Sequence, residues 1–403
     1  MNDPVFTSEK SAPKISQLNV NDESHIENII PGGKYSRAFG IITIVLFIGI
    51  LLSFLVNFGV SAYLGTEELV DAYFDGENHQ NIFLPVFSDT FYLSKEVQNN
   101  IIKIDYSLFG RLPTSDVILG QDEFLFPAFD SQSDYIYAAD YLGEYKPKGS
   151  ELDSYYNGIN ELTKAYKKYG AEVFFIVIPN SQTVYSEKMP EYMGEISNDT
   201  RLKSTTRYLS KRGITNYLDL TDALIAAKSQ GELYNNTEDS LNSRGAYYAY
   251  LAVLELLPKD VRAEISAVEL NDADFVKHTT DGKELARLAS LEDKIKNRTV
   301  SLSTDFVQKY EILLKFDNYE MSSPKMLYKN DLPSYPRVLM QFSSDWDRII
   351  MTDYFSNTFG TTIYSFSQSP TKEILNKDPA YVFYFIHEKD LPLLSDGSLM
   401  PKH

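Results

Sequence analysis

Hydrophobic positions follow two regimes along this chain. One long uninterrupted apolar run lies near the amino terminus, and short apolar runs then alternate with amphipathic stretches to the end. No charged residue occurs from Ala38 to Thr66, and Ile41 to Val60 reads IITIVLFIGILLSFLVNFGV. At ~1.5 Å per residue such a run crosses roughly 30 Å of hydrocarbon, which predicts a transmembrane helix over 38–65. A buried globular helix of this length would show a polar face, and a cleaved signal peptide would have a shorter leader and a small-residue cleavage site. Lys34 and Arg37 precede the run, whereas Glu67, Glu68, Asp71, Asp75 and Glu77 follow it. That asymmetry predicts a single-pass protein of the cytoplasmic (inner) membrane, with its amino terminus inside and its large domain periplasmic or extracellular. Residues 1–37 are polar and aperiodic and predict a disordered cytoplasmic tail. Residues 66–116 form a connecting stalk.

The remainder, 117–403, alternates helical and extended patterns. A helical stretch from about Leu152 ends at Gly170, a suitable C-cap, and the apolar run EVFFIVI over Glu172–Ile178 predicts a buried parallel strand. Asp199 to Lys211 reads as a helix, Thr215 to Leu220 as extended, and Gly245 to Leu257 as a helix. Arg337 to Gln341 and Tyr381 to Ile386 predict further buried strands, with a helix from Trp346 to Phe359 between them. Such alternation implies an α/β sheet with helices on both faces, whose sites lie at the carboxyl ends of the strands. Pro179–Tyr185, Glu238–Ser240 and Phe342–Trp346 have that placement.

Composition narrows the chemistry. The chain has 403 residues, 43% of them hydrophobic, enough for one large core. A net charge of −18 argues against nucleic acid as a partner. Cysteine is absent, which excludes disulfides, thiolate metal sites and cysteine nucleophiles. No phosphate loop, dinucleotide fingerprint or zinc-ligand spacing occurs, so neither a cofactor nor a metal is expected.

One segment carries the strongest signal: Leu233–Tyr250, LYNNTEDSLNSRGAYYAY. It resembles the Thr-Asp-x-His-Trp segment, followed by Gly-Ala, of the AlgX/AlgJ-type polysaccharide O-acetyltransferases and the related DHHW proteins. Glu238 stands at the Asp position, Ser240 at the His position and Leu241 at the Trp position. Further blocks follow in the family's order. VILGQDEFLF over 117–126 is similar to its Gly-x-Asp-Gly-Trp-Leu-Phe block, with Glu123 and Phe124 replacing Gly and Trp. IPNSQTVYSEKMP over 178–190 is similar to Pro-x-Lys-x-x-Val-Tyr-Pro, with Ser181 at the Lys position. DPAYVFYFIHEKDL over 378–391 resembles the closing strand. The resemblance implies an SGNH-hydrolase-like α/β domain, circularly permuted so that the Asp-x-His element precedes the serine.

In that family a Ser-His-Asp triad moves an acyl group onto serine and then to a sugar hydroxyl. The resemblance places Ser343 at the nucleophile position within Gln341-Phe342-Ser343-Ser344, with Ser344 as the alternative register. A serine hydroxyl needs a neighbouring base, and Ser240 is not one. Glu238 or Asp239 is a weak substitute, and His278 and His387 are the histidines of the domain open to recruitment. Asn180, Tyr185 and Trp346 are expected to meet the sugar. Two readings follow: a catalytically degenerate binding or scaffold protein of exopolysaccharide O-acetylation, or an active O-acetyltransferase or acetylesterase using Ser343 with a non-standard base. The resemblance also implies a polysaccharide ligand and a multispanning acyltransferase partner.

Overall fold

The structure is a computed structural model that describes residues 48–49, 103, 106–107, 116–130, 135–314, 325–330, 335–343, 345–365 and 369–401. Apart from Ile48 and Gly49, the expected membrane segment 38–65 lies outside these residues, as do the tail 1–37 and nearly all of 66–116. Among the described residues no helix is long and apolar enough to cross a membrane. A compact unit runs from Asn100 to His403. Lys103 pairs with Asp293 at 3.1 Å, and Tyr106 packs against the cluster around Leu285 and Leu291, so the end of the stalk segment belongs with this unit.

Strands are numbered in chain order. Val117–Leu119 (β1) pairs antiparallel with Leu125–Pro127 (β2), and Phe129–Asp130 (β3) with Tyr135–Ile136 (β4). Glu172–Ile178 (β5) and Tyr217–Asp219 (β6) belong to the main sheet, and Phe275–Thr280 (β7) and Asn297–Leu302 (β8) form a hairpin. Tyr310–Leu314 (β9), Lys325–Asn330 (β10), Arg337–Phe342 (β11), Thr361–Ser365 (β12) and Tyr381–His387 (β13) complete the main sheet. Its order is β6-β5-β13-β11-β12-β10-β9. Neighbours from β6 to β12 run parallel, while β10 runs antiparallel to both β12 and β9.

The sequence expectation of an α/β sheet names no strand at β9 or β10 and so misses this antiparallel edge. YEILL and KMLYKN mix charge with apolar residues and lack the continuous apolar run that marks a strand buried on both faces. The central strands have that run. In β5, Phe174, Ile176 and Ile178 enter one core, and Val173, Phe175 and Val177 the other. In β13, Phe383 and Phe385 join the first core, and Val382, Tyr384 and Ile386 the second. This is the period-2 alternation of a pleated strand covered on both sides.

Helices supply the covers. On the first face lie Thr221–Ala227, Ser243–Leu254 and Asp345–Thr358, contributing Leu224, Tyr250, Val253, Tyr354 and Phe355. On the second lie Gly149–Lys167 and Arg201–Lys211. The stripe Tyr155, Ile159, Leu162 and Tyr166 recurs at helical spacing and is buried along its length.

Gly158 lies within helix Gly149–Lys167, where the chain passes close to the carboxyl-terminal segment. A Cβ there would fall 1.8 Å from the Leu394 carbonyl oxygen. Alanine ordinarily gains about 1 kcal/mol over glycine inside a helix. Here the clash dominates, because the obstacle is backbone. Gly158→Ala should destabilise the chain by roughly 1–3 kcal/mol in a denaturant titration, and a stabilised variant would contradict this packing.

Candidate functional site

Three strand ends and one loop converge at the carboxyl edge of the sheet. β5 delivers Asn180 and Ser181, β11 delivers Ser343, and β13 delivers His387 through Asp390. The loop Tyr234–Leu241 delivers Glu238, Asp239 and Ser240.

That loop is fastened on every side. Tyr234 bridges Leu241, Asn242 N–H donates to the Leu233 carbonyl at 2.8 Å, and the Asn242 side chain caps helix Ser243–Leu254 by accepting from the Arg244 and Gly245 N–H groups. Asn236 Nδ2 donates to the Glu123 and Lys296 carbonyls, and its Oδ1 accepts from Arg298 N–H at 2.6 Å. Thr237 Oγ1 donates to Asn297 Oδ1 at 2.8 Å and accepts from Lys283 N–H at 3.0 Å. Gly245 is required where it stands, since a Cβ would lie 2.2 Å from the Leu233 carbonyl oxygen. Leu241, at the position of a family tryptophan, is buried in the core.

Glu238, Asp239 and Ser240 line a cavity of about 360 Å³ together with Asp116, Asp130, Tyr137, Glu284, His387 and Lys389. Burial pushes the Glu238 carboxyl up, against the opposing pull of Lys283. Asp239 Oδ1 accepts from Ser181 N–H at 2.7 Å. Ser240 Oγ accepts from Asn235 Nδ2 at 3.0 Å, so its hydroxyl is engaged within its own loop. Lys389 donates to Asp130 Oδ2 at 2.7 Å.

Ser343 does not line this cavity with Glu238 and Ser240. Its N–H donates to the Phe385 carbonyl at 2.9 Å and its Oγ accepts from the His387 backbone N–H at 3.0 Å, continuing the β11–β13 pairing past the strand end. Its hydroxyl donates to Asp390 Oδ2 at 2.7 Å. Ser343 thus adjoins the cavity through His387 and is tied to a carboxylate. Ser344 and the side chain of Trp346 lie outside the described residues.

Two expected sugar contacts are placed differently. Tyr185 is 4% exposed, its ring packs on Phe124 and Tyr234, and its hydroxyl accepts from Leu233 N–H at 2.9 Å. It supports the loop from below because an aromatic ring at this depth fills core space. Asn180 is also buried: its N–H donates to Glu388 Oε2 at 2.8 Å and its Nδ2 to the Tyr135 hydroxyl at 3.4 Å. Of the histidines weighed, His387 lines the cavity, whereas His278 lies exposed on the β7–β8 hairpin with its ring 2.7 Å from Ser301 Oγ. Sequence reasoning did not single out Asp390, Lys389 or Asp130, whereas Tyr137 belongs to the cluster Tyr135-Ile136-Tyr137 whose aromatic character suits sugar stacking. The available signal was position, since His387–Asp390 directly follows a buried strand. Among the described residues no group of three or more His, Asp or Glu side chains gathers as metal ligands.

Beneath the site lies a buried carboxylate, Glu388, which accepts from Asn180 N–H and from Thr183 Oγ1, each at 2.8 Å. It clamps the turn whose Ser181 N–H holds Asp239. Burial, then the charge of Asp140, push the Glu388 carboxyl up from 4.5 to about 8. Asp140, also raised by burial, accepts from the Tyr135 hydroxyl and from Arg201 N–H.

Between 4.5 and about 8 the folded chain retains a proton at Glu388 that the unfolded chain has lost. This contribution to stability is present in full below 4.5 and disappears as pH rises through about 8. Glu388→Gln should therefore lose less stability than wild type between about pH 5 and about pH 8, measured by denaturant unfolding. An equal loss in both would remove the buried proton from the account.

The family model for the SGNH hydrolase-like domain of the acetyltransferase AlgX matches residues 117–324, more than half of the chain. Among solved structures, the O-acetyltransferase domain of Pseudomonas putida AlgJ is 13% identical, with a TM-score of 0.43, covering 68% of this chain and 92% of its own. Bacillus cereus PatB1, solved with a sulfonyl adduct, is 14% identical, with a TM-score of 0.46, covering 72% and 99%. Pseudomonas aeruginosa AlgX is 13% identical, with a TM-score of 0.41, covering 71% and 67%. No curated protein matches the sequence. The chain belongs to the AlgX family of SGNH hydrolase-like acetyltransferase domains.

Proposed function

We propose that this protein is a membrane-anchored member of the family that binds a cell-surface polysaccharide without transferring acetyl groups to it. The apolar segment 38–65 is the proposed anchor, and the flanking charges set the domain outside the cytoplasmic membrane.

The observation that carries the reading is the state of Ser343. General-base work on a serine hydroxyl calls for an acceptor whose pKa lies near the operating pH, a role that imidazole fills in the Ser-His-Asp arrangement. Here the Ser343 hydroxyl is held by the Asp390 carboxylate and the His387 backbone N–H. The position of the family histidine carries Ser240, engaged by Asn235. Removing the triad histidine lowers serine-hydrolase turnover by about 10⁶. The cavity and the fastened loop beside it are present, and binding a glycan calls for a shaped surface without a general base.

A second reading keeps the enzyme. His387 lines the same cavity and adjoins Ser343 through its backbone. If its ring reaches the serine during turnover, the protein is an O-acetyltransferase with a base drawn from β13, and a multispanning acyltransferase is then its acetyl supplier.

The full-length chain in detergent should hydrolyse a chromogenic acetyl ester no faster than its Ser343→Ala variant. Introducing Glu238→Asp together with Ser240→His should raise turnover above that background. Wild-type turnover abolished by both Ser343→Ala and His387→Ala would instead establish the second reading.

A further inference from the structure

Among the described residues the charged lining of the cavity is mostly acidic. Asp116, Asp130, Glu238, Asp239 and Glu284 line it, opposed by Lys389, which is paired with Asp130 at 2.7 Å. Half-buried Glu238 forms no hydrogen bond or ion pair among the described residues, and Lys283 and Arg287 act on it only at longer range. Asp239 uses one oxygen on Ser181 N–H and presents the rest of its carboxylate to the same space. Phe129 and Tyr137 form the aromatic part of the wall, Phe129 being 40% exposed.

Ionised carboxylates only accept hydrogen bonds, so a wall of them favours a ligand rich in donors. An ammonium group brings three donors and a compensating charge, and it also sits well against an aromatic face. A uronate brings acceptors and like charge into a walled space where screening is weak. The apolar face of a pyranose ring matches the exposed ring of Phe129.

We propose that this cavity receives a sugar unit bearing an unsubstituted ammonium group, so that the bound polysaccharide is an amino-sugar polymer with free amines and not a polyuronate. The inference rests on the glycan-binding reading above and assigns its ligand class.

The test is calorimetric titration of the full-length chain in detergent with three oligosaccharides of equal length: β-1,4-linked glucosamine, its N-acetylated counterpart and an oligouronate. The glucosamine oligomer should bind about tenfold or more tightly than either of the others, and its affinity should fall several-fold as salt rises from about 0.05 M to about 0.5 M. Glu238→Gln and Asp239→Asn should each weaken that binding about tenfold, whereas Glu264→Gln, which removes one exposed charge elsewhere, should leave it unchanged. Equal or tighter binding of the N-acetylated oligomer or the oligouronate overturns the ligand class and leaves glycan binding standing. Absence of binding by all three overturns both. The comparison among ligands uses wild-type protein, so it does not depend on the variants folding.

Discussion

Burial of β5 and β13 on both faces is the constraint on which the rest depends. With apolar side chains filling both cores, the backbone polar groups of these strands have no water and must bond within the sheet. Polar chemistry is therefore pushed to where the strands end. Asn180, Ser181, Ser343 and His387–Asp390 meet because their strands stop at one edge of the same parallel array. The loop Tyr234–Leu241 is then pinned over that edge, with the Tyr234 hydroxyl donating to the Pro179 carbonyl at 2.6 Å.

The buried polar layer beneath the site follows from the same constraint. Glu388 leaves the end of β13 with nowhere to reach solvent, and it is satisfied by the backbone of the β5 turn and by Thr183. Holding the proton avoids most of the penalty of an isolated charge at that depth. Asp140, Tyr135 and Arg201 extend the layer, with the Arg201 guanidinium stacked between the rings of Tyr135 and Tyr145 at 5.2 and 4.1 Å. The cavity thus rests on a floor of mutually bonded groups, which makes its shape a property of the fold.

Much of this was legible in the sequence where burial leaves a periodic trace. EVFFIVI over Glu172–Ile178 and the run Tyr381–Ile386 announce strands buried on both faces, and the structure places β5 and β13 there. The Glu238–Ser240 wall was legible through its resemblance to a family motif. The antiparallel edge of β10 and β9 was not, because YEILL and KMLYKN carry charged residues and lack a continuous apolar run. Nor was the Ser343–Asp390 pair, since 47 positions separate the two residues and only the β11–β13 register joins them. Tyr185 was misplaced for a related reason: composition shows an aromatic residue near a site but not the side of the wall on which its ring lies.

The scaffold and the chemistry have separate requirements here. Asn242, Gly245 and the Asn236 contacts hold the loop in place whether or not a triad is present, while Glu238 and Ser240 stand where the resemblance puts the acid and the base. A domain can keep the first set and lose the second. The central claim is that Ser343 is not an activated nucleophile, and the most direct measurement of that is its reactivity. The full-length chain is incubated with phenylmethanesulfonyl fluoride and its intact mass and peptide map are read. An unmodified Ser343 is the predicted result, and a sulfonyl adduct on Ser343 would contradict the account.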